Sequence, residues 1–475
     1  MASLLTNLGW KFAERIASQA VSFIVSIVLA RILAPADYGA IAMVMIFVSL
    51  ANVLVEGGFS SALIQKKNAD RLDFSTVFYF SIFCSVLLYI VLYISAPIIS
   101  NFYGAGYEIL TPVLRVIGIE IIINAINSVQ QAYVSRQMMF RKFFWSSLIG
   151  TIISAVIGLF CAYNGYGVWS LVWQQLSMVT INTLVLYLVT KKLPGLEFSL
   201  ERLKGLFGYG VKILGASLLI TAFLELRSLI IGKLYSAKDL AFFDRGKQMP
   251  LLLVTNINSS VGAVLFPKMS HDQNDLAKIK QTCRNSIRFS AYVMSPMMIG
   301  LMACSESLIR FLLTEKWIGC VPFLQVFCII YLFYPLHTAN LQAIKAIGKS
   351  GVFLKLELIK KTIEIICLLL VMKISMMAIV INMAILTTLF TIINGVPSKK
   401  YLNYSFREQF QDILPSIVLS SIMGGAVYLL KYLHLSDLLL LIIQVAVGCI
   451  IYLFLSFLFK NPELKFLLSL VLKRR

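Results

Sequence analysis

Residues Gly9 to Lys67, GWKFAERIASQAVSFIVSIVLARILAPADYGAIAMVMIFVSLANVLVEGGFSSALIQKK, decide the reading of this chain. Two long apolar segments flank the turn Ala34-Pro35-Ala36-Asp37. Each exceeds the roughly 20 residues that cross a bilayer's hydrocarbon core, and Pro35 ends one helix where the next begins. The stretch is therefore a transmembrane hairpin. Yet it holds Lys11, Glu14, Arg15 and Glu56, and a charge at such depth costs on the order of 3 kcal/mol unless it faces protein or water.

Working outward, the same pattern fills the chain. Of 475 residues, 59% are hydrophobic and only 13% charged, with a mean hydropathy of +0.85. That excludes a soluble globular protein and predicts an all-α polytopic membrane protein. At roughly 20 to 28 residues per span, about fourteen helices are expected, at 9–33, 38–64, 74–100, 109–135, 143–163, 167–190, 205–234, 240–266, 286–313, 320–345, 351–372, 374–396, 412–432 and 437–459. The first apolar run is too long for a cleavable signal peptide and is followed at once by a second span. Connections are short, with no room for a soluble catalytic domain. The eight cysteines form no CxxC pair and no metal-ligand spacing, so they read as small apolar residues, and neither a metal nor a cofactor is expected.

The net charge of +20 follows membrane topology and does not indicate nucleic acid. Basic clusters recur in alternate loops: Lys66/Lys67/Arg71, Arg136/Arg141/Lys142, Lys191/Lys192/Arg202/Lys204, Lys268/Lys278/Lys280/Arg284, Lys345/Lys349, Lys399/Lys400/Arg407 and the tail with Lys473, Arg474 and Arg475. The intervening turns are poor in them, with Lys233, Lys238, Lys316, Lys373 and Lys431 as the main exceptions, and the positive-inside rule then puts both termini in the cytoplasm.

An internal repeat divides the chain. An offset of 202 lays Ala30-Arg31-Ile32-Leu33 and Asp37 on Gly232-Lys233-Leu234-Tyr235 and Asp239, and Lys66 on Lys268; an offset of 211 lays Gln131-Ala132 on Gln342-Ala343. An even number of spans per half makes the repeats parallel about an axis along the membrane normal. The expected organisation is an N-terminal lobe at 1–195, a C-terminal lobe at 196–400, each of six helices, and two extra helices with a basic tail at 401–475.

Polar residues recur on helical faces. The first span has Glu14, Ser18, Ser22 and Ser26, the second Ser49, Asn52, Glu56 and Ser60, and the fourth Glu120, Asn124, Asn127 and Gln131. The seventh has Ser217, Thr221, Glu225 and Ser228 with Arg227 at the edge; the eighth has Asp244, Gln248, Thr255 and Ser259 flanked by Arg245, Lys247 and Asn256. Serines and asparagines on such faces also serve helix packing, whereas several ionisable groups need a wet or ion-paired interior. Arg15 and Glu56 are expected at similar depth and can pair. The candidate substrate-binding residues are Arg15, Glu56, Lys212, Glu225, Arg227, Asp244, Arg245 and Lys247, a set suited to a polar anionic cargo because guanidinium groups bind phosphate bidentately. Glu14 and His337 are candidates for coupling to a cation gradient, although a lone histidine is also an ordinary interior hydrogen-bonding group. The run Tyr163 to Trp173 reads as an interfacial aromatic belt. In the eleventh span, i,i+4 pairs Glu357/Lys361 and Lys360/Glu364 are expected.

Four segments carry a family likeness: LARILAPADYG (29–39), EGGFSSALIQKK (56–67), GYGVWSLV (165–172) and SAKDLAFFDRGKQMP (236–250). Together they resemble the Wzx-type polysaccharide flippases of the multidrug/oligosaccharidyl-lipid/polysaccharide (MOP) superfamily. The resemblance implies two six-helix lobes around a cationic cavity, and alternating access that carries undecaprenyl-pyrophosphate-linked oligosaccharide across the bacterial inner membrane, with membrane lipids and the polysaccharide polymerase machinery as partners. It implies no catalytic residues, and a lipid-tail groove at the last two helices. Ala241-Phe242-Phe243-Asp244 stands where the family more often has Gly-Tyr-Tyr-Asn, which sets Asp244 apart from the pattern. The competing readings are a multidrug or cation antiporter of the same superfamily, which calls for acids and aromatics in place of these cations, and an integral-membrane polymerase, which calls for a large outer loop or paired acidic motif.

Overall fold

The computed structural model describes residues 2–56, 58–190, 195, 197–272, 275–433 and 435–465. Among them the regular structure is entirely helical. Lys191, Lys192, Lys473, Arg474 and Arg475 lie outside the described residues, as does the side chain of Arg15.

The chain forms two compact units, Met1–Ala241 and Phe242–Arg475. The first contains α1 (Ala2–Ile32), α2 (Pro35–Glu56), α3 (Phe59–Gln65), α4 (Arg71–Tyr103), α5 (Leu110–Ile117), α6 (Ile119–Arg136), α7 (Phe140–Tyr163), α8 (Val168–Thr190) and α9 (Leu200–Leu234). Helix α10 (Ala237–His271) leads into the second, which continues with α11 (Leu276–Ala303), α12 (Ser305–Leu313), α13 (Val321–Leu332), α14 (Tyr334–Ala346), α15 (Ser350–Val371), α16 (Met376–Leu402), α17 (Phe406–Leu429) and α18 (Asp437–Leu458).

Helix occupies each of the fourteen intervals expected from hydropathy, but the count of fourteen membrane crossings is not confirmed. Among the described residues, ten helical stretches are both long and apolar enough to cross a membrane, or eleven if α11 and α12, bent by 69°, make one span. The shortfall has a plain cause. The apolar part of α1 is only Ile16–Ile32, α10 carries Asp244, Arg245, Lys247 and Asn256, and α15 carries Lys355, Glu357, Lys360, Lys361 and Glu364.

Local chemistry sets the breaks. Pro335 has no N–H to continue a ladder, and α13 gives way to α14 at Phe333. Asp37 sits at the third position of α2 and accepts a hydrogen bond from the Ala34 N–H at 3.0 Å. Asp239, 202 residues on, does the same for Ser236 N–H at 3.2 Å. There the Ser236 hydroxyl also accepts from Asp239 N–H at 3.1 Å, completing a reciprocal cap that Ala34 cannot make. The offset found in sequence thus corresponds to a repeated local structure.

At the start of α4, Asp70 accepts from Asp73 N–H at 2.9 Å and Asp73 from Asp70 N–H at 3.1 Å. The Asp73 N–H, and after it the Arg202 guanidinium, hold the Asp70 carboxyl below its ordinary range. A depressed folded value means that this stability is complete above the ordinary carboxylate pKa and is lost as pH falls through the lower folded one. Asp70→Ala is accordingly expected to cost about 1 kcal/mol at neutral pH, and a difference in thermal stability from wild type that shrinks on acidification is the result to look for.

Arg136, at the end of α6, closes the C-terminus of α3. Its Nη1 donates to the carbonyls of Leu63 at 3.0 Å and of Lys66, and its Nη2 to that of Lys67 at 2.5 Å. One guanidinium satisfies several of the acceptors that a helix end leaves open. Arg136→Ala should lower stability by about 2 kcal/mol. Arg136→Lys should recover only part of that, because an ammonium lacks the planar fork; equal thermal unfolding of the Lys variant and wild type would contradict this.

In the second unit, Ile279, Cys283 and Ile287 of α11 pack with Leu336, Ala339 and Ala343 of α14, and with Tyr404 and Ile413. A polar seam runs beside this core. Arg284 donates to Asp412 through Nε at 2.8 Å and Nη2 at 2.9 Å, and Tyr404 Oη donates to the same carboxylate at 2.8 Å. Deeper, Asn340 Nδ2 donates to Gln409 Oε1 at 2.7 Å while its Oδ1 accepts from Ser398 Oγ at 2.8 Å. These contacts hold α17 against α11, α14 and α16. On α15 the pairing differs from expectation: Lys360 meets Glu357 at 2.5 Å and Lys361 meets Glu364 at 2.8 Å. Both are i,i+3 pairs, which a helix brings as close as i,i+4.

Candidate functional site

In the first unit the site builds from the polar faces of α1, α2, α6 and α9. Glu14 and Ser18 both meet Ser147 of α7, the carboxylate accepting its hydroxyl at 2.8 Å and the Ser18 hydroxyl lying 3.1 Å away. That part of the α1 face is a seam between helices. On α2, Ser49 donates to Glu225 Oε1 of α9 at 3.3 Å, joining two of the faces read from sequence. Farther along α2, the Glu56 carboxyl lies within electrostatic reach of that of Glu120 on α6. Glu120 is buried and accepts from Asn124 at 3.2 Å. The buried oxygens Glu120 Oε2 and Asn127 Oδ1 on α6 and Asn52 Oδ1 on α2 have no hydrogen-bond partner. A dry protein interior does not hold such acceptors without cost, so a proton donor, water or cation is the natural complement here.

Glu120 was legible as a member of a polar face but not as the neighbour of Glu56. Arg15, expected to pair with Glu56, has a side chain outside the described residues. Lys212 is exposed on α9, and Arg227 is half-buried.

The second unit holds the remaining candidates. Arg245 is buried, with its guanidinium 5.4 Å from the Trp317 ring centre and its Nη1 donating to Gln248 at 3.0 Å. It is fixed in the protein interior, while Asp244 and Lys247 on the same helix are half-buried. His337 has both ring nitrogens engaged, Nε2 with Thr391 Oγ1 and Nδ1 with Asn394 Nδ2, each at 2.8 Å. Thr391 donates its own proton to the Thr387 carbonyl at 2.8 Å, and the Asn394 amide donates to Nδ1. This network assigns a neutral imidazole with its proton on Nε2.

At the end of the second unit a cavity of about 560 Å³ opens between α11, α13 and α17, lined by Met298, Met302, Cys328, Leu332, Gly424 and Tyr428 among others. Beside it lies a more polar chamber of about 470 Å³, to which α12 and α18 contribute. The turn between α7 and α8 exposes Tyr163 and Tyr166, as an interfacial belt requires.

A helical protein with ionisable and amide groups inside membrane-length helices, and connections too short for a separate domain, is a polytopic membrane protein of the transporter kind. Comparison with known proteins narrows this. A family profile described as polysaccharide biosynthesis protein matches residues 28–322, and the chain belongs to that family. It is 24% identical over 420 residues, 85% of each chain, to the teichuronic acid biosynthesis protein TuaB of Bacillus subtilis. It is also 24% identical to the succinoglycan biosynthesis transport protein ExoT of Rhizobium meliloti, over 74% of this chain and 71% of that one. The fold is similar to that of the lipid II flippase MurJ in its inward closed conformation, with a TM-score of 0.75 at 16% identity over 94% of this chain and 98% of that one. An inward-facing multidrug resistance MATE family transporter of the MOP superfamily aligns with a TM-score of 0.63 at 15% identity, over 81% and 94% of the two chains. The chain thus shares its fold with both of these solved proteins.

Proposed function

We propose that the protein is a flippase that carries undecaprenyl-pyrophosphate-linked oligosaccharide from the cytoplasmic to the outer leaflet of the bacterial inner membrane, feeding polysaccharide assembly. The observation that carries this reading is a lipid-flippase-like fold over 94% of the chain in a member of a polysaccharide biosynthesis family. The physical task fits the helices. A sugar pyrophosphate loses its water partners in hydrocarbon, a cost of several kcal/mol for each unpaired polar group. Cationic and amide groups inside the protein replace those partners while the polyprenyl chain stays in lipid. No bond is made or broken.

The lobes of this reading are 1–195 and 196–400, with 401–475 appended and both termini in the cytoplasm. The capping turns at Asp37 and Asp239, repeated 202 residues apart, support that division. Arg15, Lys212, Arg227 and Lys247 are the cargo-facing cations of the proposal, tuned by Glu56, Glu225 and Asp244. Arg245 acts from beneath, through Trp317 and Gln248. Glu14 and His337 are the coupling candidates, and protonating His337 would require Asn394 to turn its amide. The polymerase that consumes the product is the proposed downstream partner.

Deleting the gene should cause the lipid-linked oligosaccharide to accumulate on the cytoplasmic side, visible by mass spectrometry of the polyprenyl-linked pool. An unchanged pool with full surface polysaccharide would overturn the reading. Arg227→Ala should lower export about tenfold, as expected for a lost hydrogen bond to a charged group, and by more than it lowers thermal stability. Arg245→Ala should reduce both together, because its guanidinium is packed in the interior.

A further inference from the structure

The paired cavities at one end of the second unit have a chemistry of their own. The apolar chamber is bounded along α17 from Ile417 to Tyr428, eleven residues or about 16 Å at 1.5 Å each. That is about one leaflet of a hydrocarbon core some 30 Å thick. The polar chamber shares Ala303, Gln325 and Tyr428 with it, so the two form one continuous amphipathic space. The shared edge lies at the Ala303 end of α11, opposite Lys278, Lys280 and Arg284, and hence faces the outer leaflet by the positive-inside rule.

Four charged side chains line the polar chamber: Glu306, Arg310, Lys431 and Asp437. Two signs in equal number match a head group that is itself a zwitterion, and disfavour a pyrophosphate, whose several negative charges would meet two carboxylates. Arg310 is tied to Glu306 at 3.0 Å and Glu315 at 3.2 Å, and the Lys431 ammonium rests 4.0 Å from the centre of the Tyr428 ring. Gln444 supplies the independent clue. It lines the same chamber, is 1% exposed, and donates from Nε2 to Val427 O at 3.3 Å, while its Oε1 has no partner. A buried acceptor without a donor needs an N–H or O–H from outside the chain.

We propose that this space binds a zwitterionic phospholipid with a primary ammonium head group. One acyl chain lies in the apolar chamber between α11, α13 and α17. The phosphate faces Lys431 and Arg310, and the ammonium donates to Glu306, Asp437 and Gln444 Oε1. The site holds α12, α17 and α18 together from the membrane side and is separate from cargo transport.

The test uses the full-length protein in mixed micelles, with native mass spectrometry counting retained lipid. Phosphatidylethanolamine should be retained about tenfold over phosphatidylcholine, which has no N–H, the ratio expected for lost charge-assisted hydrogen bonds. It should be retained over phosphatidylglycerol as well, which brings net negative charge. Gln444→Leu should reduce the preference over phosphatidylcholine, and Glu306→Gln should reduce both preferences, the latter at an exposed position whose folding is checked by thermal unfolding without lipid. Equal retention of phosphatidylcholine, a preference for phosphatidylglycerol, or an unaltered preference in both variants would overturn the proposal. So would displacement of phosphatidylethanolamine by an equimolar polyprenyl pyrophosphate, which would make the cavity part of the cargo path.

Discussion

Arg284→Ala is expected to lower the unfolding free energy by about 3 kcal/mol, the scale of breaking an ion pair at one partner. The two ends of the pair are not equivalent. The Asp412 side chain is 6% exposed and that of Arg284 39%. Removing Arg284 leaves a buried carboxylate with Tyr404 as its remaining donor, whereas removing Asp412 leaves a guanidinium that water can reach. Asp412→Ala should therefore cost less, about 1 to 2 kcal/mol after allowing for that hydration. Replacing both by apolar residues of similar volume should recover most of the loss, since a buried pair seldom outperforms good packing. Thermal unfolding of the three variants checks the ordering. Equal costs for the two single substitutions would show that the seam is not organised around a buried charge.

Gly39→Ala is the second large effect. A Cβ at Gly39 would stand 1.7 Å from the Ala237 carbonyl oxygen, so the turn opening α10 rests on α2 with no space for a methyl group. Gly58 meets the Gly210 carbonyl of α9 in the same way, at 2.1 Å. Backbone cannot yield as a flexible side chain does, and each Ala substitution should cost about 3 kcal/mol, the upper part of the range for overpacking. Gly205 of α9 is the control: nothing lies within 4 Å of its Cβ position, and Gly205→Ala should stabilise by up to about 1 kcal/mol through helix propensity. If Gly39→Ala unfolds at the wild-type temperature, the close approach of α2 to residue 237 is not tight.

Much of the fold could be read before the structure because membrane helices are written in long apolar runs. Every interval expected to be helical is helical, and Asp37 and Asp239 were paired by offset alone. Hydropathy failed where a helix mixes functions. The charged stretches of α10 and α15 are long helices that do not meet the apolarity of a spanning segment, and breaks such as Phe333 fall inside runs that composition reads as continuous.

The site was half legible for a related reason. Periodicity assigns a residue to a face, but neighbouring helices decide what that face meets. Glu14 and Ser18 stand four residues apart on one face of α1, and the tertiary structure turns both to Ser147. Glu56 and Glu120 stand 64 positions apart, and no local pattern could bring them together. Gln444 is one amide in an apolar helix, and only its lost partner marks it. On α15 the choice between i,i+3 and i,i+4 depends on rotamers, which sequence spacing does not specify.

Transport itself tests the central claim most directly. Purified protein should be reconstituted into vesicles carrying undecaprenyl-pyrophosphate-linked oligosaccharide, and the head group exposed on each leaflet followed with time by a membrane-impermeant glycosidase. Protein-dependent movement of the head group between leaflets, reduced about tenfold by Arg227→Ala, is the predicted result. Movement no faster than in protein-free vesicles, with no binding of the lipid-linked oligosaccharide, would contradict it.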